Sequence, residues 1–246
     1  MTSNLTVSVI IPVKNGEKFI SDAIRSIGIQ KHDVKEIHVI DDGSTDKTRE
    51  LVEGMAVKNE AIIIHDGPQR GPGPARNVGI KHATGDVISF LDCDDMWPEY
   101  KLEKQLARME AKPEVMIVSG RALYFIKQEE DGLQPDPDAR TEEFFHVHLG
   151  ASIYRKTVFE RLGGFDENFM YAEDVDLMLR IREAKLPFSI LDLPTLYYRR
   201  HDNSMTTTVT PREKRDFNMA LFNSMRRRKA AGETEPLKPF SDFVGY

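Results

Sequence analysis

Cys93 is the only cysteine in the 246-residue sequence, so no disulfide closes within it and a cysteine-built zinc site is excluded. A single thiol fits a reducing compartment, and the expected location is cytoplasmic. Long apolar runs are missing too. Met1 to Thr6 carry no basic residue, and the apolar stretch after them is broken at Pro12 and Lys14. Neither a secretory leader nor a spanning helix is expected, because a span needs roughly 18 or more apolar residues in a row. Nor is there a surplus of basic charge: 34 Lys and Arg face 40 Asp and Glu, a net charge of −6. That balance argues against nucleic acid as a partner, since phosphate backbones are held by basic surfaces. An acidic protein still binds a nucleotide when a divalent cation neutralises the phosphates, so the charge points to a metal.

What is present is a globular composition, with 40% hydrophobic residues for a core and 30% charged residues for a surface. The first half alternates short apolar runs with amphipathic segments. Val7 to Val13 is β-branched and apolar, as in a strand buried on both faces. Glu17 to Ile29 has helical spacing through Ile20, Ala23, Ile24 and Ile27. Ile37 to Ile40 reads as a strand, Asp46 to Lys58 as a helix, and Ala61 to His65 as a strand. The loop Gly67 to Pro74 leads to a helix from Ala75 to about Ala83, with Pro74 suited to its first turn. Val87 to Leu91 is another strand, and Pro98 opens the next helix. This rhythm predicts a parallel, doubly wound sheet with helices on both faces.

The second half is less regular. Lys127 to Arg140 is polar, holds Gly132, Pro135 and Pro137, and reads as a loop rather than a linker. Phe144 to Tyr154 is read as a strand and Lys156 to Leu162 as a short helix ending at Gly163-Gly164. Glu173 to Ala184 is a stronger helix, with acidic residues in its first turn. Thr195 to Arg200 reads as a strand and Pro211 to Ala230 as a basic helix.

Three acidic clusters carry the chemistry. Asp41-Asp42-Gly43-Ser44-Thr45-Asp46 ends a strand, and Asp92-Cys93-Asp94-Asp95 ends another. Ligands in open α/β sheets bind at those carboxyl ends. In the first cluster a glycine permits a sharp turn, Ser44 or Thr45 is placed to cap the next helix, and one carboxylate is placed to accept hydrogen bonds from a base or ribose. A plain capped turn explains the same residues. In the second, an Asp-x-Asp supplies hard oxygen ligands of the kind Mg²⁺ or Mn²⁺ takes beside substrate phosphates. Three aspartates in four residues repel one another, and a cation removes that cost; a solvated acidic turn is the plainer account. Cys93 reads as an inward filler. The third cluster, Glu173-Asp174-Val175-Asp176, follows Gly164-Phe165-Asp166-Glu167. It either stabilises a helix N-terminus or mounts a general base for an acceptor hydroxyl.

Together these stretches resemble the family 2 glycosyltransferases. The resemblance runs from Val7-Ser8-Val9-Ile10-Ile11-Pro12 through Asp41 to Asp46, Ala75-Arg76-Asn77, Phe90 to Asp95 and Gly163 to Asp166, and ends at Glu173 to Leu177. Each motif alone is weak; the ordered set is specific. The resemblance implies a GT-A α/β fold, a single Rossmann-like doubly wound mixed sheet with helices on both faces. The domain would span 1–210, with a nucleotide-binding half to about 110 and an acceptor-binding half over 111–210, and 211–246 would be a basic helical appendage. It also implies inverting transfer, of hexosyl or N-acetylhexosaminyl type, from a nucleotide-diphosphate sugar, a UDP-sugar being favoured. Neither the acceptor nor the oligomeric state follows from it. Asp42 would bind the base near Pro12, with Asp41 beside it. Asp92 would lie by the ribose and sugar, and Asp94 would hold the metal, Mn²⁺ or Mg²⁺, on the diphosphate. Arg76 would support the pocket, and Asp174 would be the base with Glu173 beside it. Arg199 to Ser204 is similar to the family's Arg-x-His loop, so His201 is either a second metal ligand or a surface histidine. Gly71-Pro72-Gly73-Pro74 departs from the family pattern by its extra proline.

Other features carry less. Gly71-Pro72-Gly73 fails the dinucleotide fingerprint, since Arg76 stands in place of the third glycine. His146 and His148 would share one strand face, as exposed or acceptor-side histidines rather than a metal pair. The helix at Pro211 to Ala230 docks on its own domain or lies on an anionic membrane surface, so peripheral membrane contact stays open. Two rival readings stand beside transfer. One is a metal-dependent phosphatase, for which Met96 replaces the small residue that chemistry wants. The other is a non-catalytic nucleotide-sugar-binding module.

Overall fold

The computed structural model describes residues 4–126, 132–136, 142–144, 148–201 and 210–237. Strands β1 (Val7–Val13), β2 (Glu36–Asp41), β3 (Ile62–Asp66) and β4 (Val87–Phe90) pair in parallel. Strands β5 (Ile117–Phe125), β6 (Glu142–Phe144), β7 (Ile153–Arg155) and β8 (Phe188–Arg199) extend the sheet. The order is β3-β2-β1-β4-β7-β5-β6, with β8 parallel to β5 and β7 antiparallel to both β4 and β5. The parallel sheet read from the first half is therefore one part of a mixed, eight-stranded sheet.

Alternation along β1 assigns the helices to faces. Val7, Val9, Ile11 and Val13 join one core with α1 (Ile20–Gly28), α2 (Thr48–Ala56) and α4 (Lys101–Ala111). Ile10 joins the opposite core with α3 (Pro72–His82), α5 (Thr157–Leu162) and α6 (Glu173–Glu183). Helix α7 (Pro211–Ala230) lies outside α6, where Ala220 packs on Leu179 and Phe169. Among the described residues no helix is long and apolar enough to cross a membrane.

Three local readings are corrected and one strand is added. Helix α3 begins at Pro72, not Ala75, because Gly71 at φ +98° turns the chain and both prolines then fall in a first turn whose N–H groups have no helical partner anyway. Ser44 and Thr45 do not cap α2; they bond Asn15, and Asp46 instead accepts from the Thr48 N–H at 3.0 Å. Phe144 to Tyr154 is not one strand, since turn bonds from Ala151 N to His148 O and from Ser152 N to Leu149 O separate β6 from β7. Strand β5 was not legible at all. Its apolar run is interrupted by Ser119-Gly120-Arg121, where the pairing with β8 slips by a bulge. A Cβ at Gly120 would fall 2.7 Å from the Leu193 carbonyl, so only glycine lets β8 approach there.

Candidate active site

At the carboxyl ends of β1, β2 and β4 a cavity of about 1040 Å³ opens. Its walls come from Pro12 to Phe19, Asp42, the loop into α3, Asp92 to Asp94, His148, the start of α6, Tyr198, His201 and the first two turns of α7. All three acidic clusters contribute to it, although they are spread over more than a hundred residues of chain.

Asp41 and Asp42 divide their tasks. Asp41 accepts the Ser44 N–H at 2.8 Å, closing the turn that Gly43 makes at φ +88°, and it is not part of the cavity wall. Asp42 faces the cavity, and its two oxygens accept the Gln69 N–H at 2.6 Å and the Gly71 N–H at 2.8 Å. It thereby fixes the loop that feeds α3. Pro12 lies on the same wall.

Arg76 projects from α3 into the floor. Its guanidinium reaches Asp92 at 2.6 Å on one side and Glu173 at 2.6 Å on the other, with the Phe165 ring 5.5 Å away. Burial would raise the Asp92 carboxyl, but Arg76, with a contribution from His148, holds it below the usual range. Glu173 is buried more deeply, and its carboxyl stays raised despite the same cation. The adjacent Asp174 lies half-buried in the cavity wall and accepts the Val175 N–H at 2.7 Å. Adjacent helical residues project about 100° apart. That divergence gives Glu173 to the ion pair and leaves Asp174 toward the cavity.

This bridge yields a first prediction. Arg76→Met strands two carboxylates around an apolar side chain, and the loss of a buried partner costs about 3–5 kcal/mol. Urea denaturation is expected to show a midpoint well below that of the unaltered protein. Equal midpoints would show that the bridge contributes nothing to stability.

The second cluster has the chemistry of a cation site. Burial, and then Asp92, push the Asp94 carboxyl up, and burial with Asp94 and Asp92 pushes Asp95 up strongly. One oxygen of Asp95 accepts the Arg199 N–H at 2.9 Å; the other is buried and has no hydrogen-bond partner among the described residues. His201 places Nε2 3.0 Å from an Asp94 oxygen, with its ring 4.7 Å from Phe19. Asp92, Asp95 and His148 also each bring a ligand atom within 4.8 Å of the others. Crowded hard oxygens with adjacent imidazoles fit Mg²⁺ or Mn²⁺. Burial and the neighbouring aspartates push the Cys93 thiol up, as suits a filler and not a nucleophile.

His148 is neither exposed nor on a strand: it precedes the turn into β7 and stands in the cavity wall against Tyr198, at 5.3 Å between rings. Its expected companion His146, and Asp202 to Ser204 of the Arg-x-His loop, lie outside the described residues. Two contributions go beyond the sequence reading, which places Arg199 in the Arg-x-His loop but gives it no partner. Arg199 braces the Asp94 turn through the Asp94 carbonyl at 2.9 Å and stacks near Phe19 and Phe125. Glu213, Lys214, Phe217 and Asn218 of α7 close one side of the cavity. No local pattern marks α7 as a wall; only its packing on α6 does.

The sequence profile of Glycosyl transferase family 2 matches residues 8–166, which holds the first two clusters and the Arg76 helix. The chain belongs to glycosyl transferase family 2. Among relatives, the uncharacterized glycosyltransferase EpsJ of Bacillus subtilis is 32% identical over 222 residues, covering 81% of this chain and 62% of EpsJ. Among solved structures, S. aureus TarS 1-349 in complex with UDP-GlcNAc is 24% identical with a TM-score of 0.68, covering 89% of this chain and 65% of that one. The mannosyltransferase PcManGT from Pyrobaculum calidifontis, in complex with GDP-Man and Mn²⁺, is 20% identical with a TM-score of 0.62, covering 94% and 76%. At these identities the likeness establishes the fold: this family 2 member has the GT-A sheet. The chain spans between 15% and 66% of the length of its curated relatives. Helix α6, with Glu173 and Asp174, lies beyond the matched stretch.

Proposed function

We propose that this family 2 glycosyltransferase moves a hexosyl or N-acetylhexosaminyl group from a nucleotide-diphosphate sugar to an acceptor, with inversion. The observation that carries this reading is the convergence of Asp42, the Asp92–Asp94 turn with His201, and Asp174 on one cavity. In it the base rests against Pro12 and Asp42. The Asp42 oxygens already serve two backbone N–H groups, yet a carboxylate has about four lone-pair sites, so one faces the base. Asp92, oriented by Arg76, receives ribose and sugar hydroxyls.

Asp94 and His201 are the residues that would hold a divalent cation, which when bound supplies positive charge against the leaving diphosphate. The TarS complex with UDP-GlcNAc supports a UDP-sugar donor, and the PcManGT complex with Mn²⁺ supports the metal. Asp174 takes the proton of the acceptor oxygen as that oxygen attacks the anomeric carbon from the side opposite the diphosphate. We assign this catalysis to a domain over 1–210, with 211–246 as an appendage whose helix α7 covers the cavity, in the cytoplasm. Family membership removes the phosphatase alternative.

A donor screen by thermal shift tests the proposal. A cognate UDP-sugar with Mn²⁺, at about 100 times its dissociation constant, adds about 2.7 kcal/mol, or roughly 5–10 °C in Tm for a domain of this size. The expected result is that shift for a UDP-sugar, lost in EDTA, followed by turnover. Silence toward UDP-, GDP- and dTDP-sugars alike overturns the donor assignment. Binding without any turnover, hydrolysis included, leaves a nucleotide-sugar-binding module.

A further inference from the structure

Helix α7 is amphipathic in the opposite sense to a helix that only packs on its own domain. Its buried row is Asp216, Ala220 and Ser224, one acidic and two small residues four apart. The large apolar side chains stand outward: Leu221 is 39% exposed, Phe217 and Met219 46% each, Phe222 54% and Met225 66%. Five of the ten exposed large hydrophobic residues among the described ones lie on this single helix. The other five are scattered, as on any surface, whereas a cluster of this kind marks an interaction face.

Charge is concentrated on the same element. The segment Pro211–Ala230 carries seven basic and two acidic residues in a chain whose net charge is −6. Arg227 turns inward to Asp176 at 3.0 Å and Glu183 at 2.6 Å, fastening the helix to α6. Lys214, Arg226 and Lys229 are exposed on the side of Leu221, Phe222 and Met225, and Arg226 sits 5.9 Å from the Phe222 ring. The outer face therefore offers an apolar strip flanked by cations.

We propose that this face is a docking surface for an anionic lipid bilayer. Leu221, Phe222 and Met225 enter the boundary between headgroups and acyl chains, and Lys214, Arg226 and Lys229 meet the headgroup phosphates. A partner must supply apolar depth and negative charge together, which such a bilayer does. A second copy of this chain, applied through the same face, would bring cations against cations. Because Glu213, Lys214, Phe217 and Asn218 also line the cavity, the bound bilayer lies at its rim. Docking itself does not depend on the transferase reading, and its test reads no catalysis.

Flotation of the full chain with vesicles decides the matter. At low salt the unaltered protein is expected to float with phosphatidylcholine vesicles containing phosphatidylglycerol, to ignore pure phosphatidylcholine, and to release as salt rises. Two variants spare the cavity wall: F222S/M225S removes apolar depth, and R226Q/K229Q removes charge. Each is expected to lower partitioning at least about tenfold at an unchanged Tm. If the apolar pair unfolds the protein, the charge pair, at exposed positions, carries the test. Failure of the unaltered chain to float with anionic vesicles, or equal flotation of a folded R226Q/K229Q, overturns the proposal. So does a dimer that F222S/M225S converts to monomer without any vesicle binding, which would make the face a contact between copies.

Discussion

Asp174→Asn is expected to lower turnover by about 10²- to 10⁴-fold while donor and metal bind as before, because a general base contributes a factor of that order. The side chain stands at the start of α6 in the cavity wall and forms no ion pair among the described residues, so asparagine fits without disturbing the floor. Glu173→Gln serves as the contrast. Glu173 is locked to Arg76 at 2.6 Å, and its replacement is expected to lower stability more than Asp174→Asn does. A base on the acceptor side implies displacement in one step, so an α-linked donor should yield a β-linked product. NMR of the first-formed product reads the outcome directly. Retention of configuration would remove both the mechanism and the role of Asp174.

Asp94→Ala is expected to abolish metal-assisted donor binding and leave the fold intact. The diphosphate would then meet Asp92 and Asp95 with no cation to offset them, and burial already disfavours charge on this turn. Loss of a direct ligand should exceed the ~10- to 100-fold loss in affinity typical when a residue that merely supports a ligand is removed. His201→Ala, which takes away the imidazole 3.0 Å from Asp94, should weaken Mn²⁺ less. Isothermal titration with Mn²⁺ and UDP reads both variants. Full transfer activity of the unaltered enzyme in excess EDTA would sink the metal assignment.

Elements whose signals are local were legible. Helix α7 runs from Pro211 to Ala230 as read, because Thr210 and Glu213 form a reciprocal cap around a first-turn proline. Strands β1 to β4 were legible because each is short, apolar and followed by turn residues. Strand β5 was not, since the glycine that admits β8 breaks the very run that would announce it. The place of His148 is not legible for a related reason: Phe144 to Tyr154 reads as one strand, but turn bonds from Ala151 to His148 and from Ser152 to Leu149 break it.

By itself the sequence determined the class of protein and where its acidic residues fall. Alternating strands and helices imply a sheet whose strands end in aspartates, and topology alone sends such ends to one edge. Tertiary structure decided what each carboxylate does there. Asp41 closes a turn, Asp42 clamps a loop, Asp92 and Glu173 share the Arg76 cation, and Asp174 is left facing the cavity. It also decided that α7, an appendage by its composition, forms one wall of that cavity and turns its apolar side outward. Contacts that reach as far as 97 residues along the chain set these roles, and no local spacing encodes which of two adjacent carboxylates will find a buried cation.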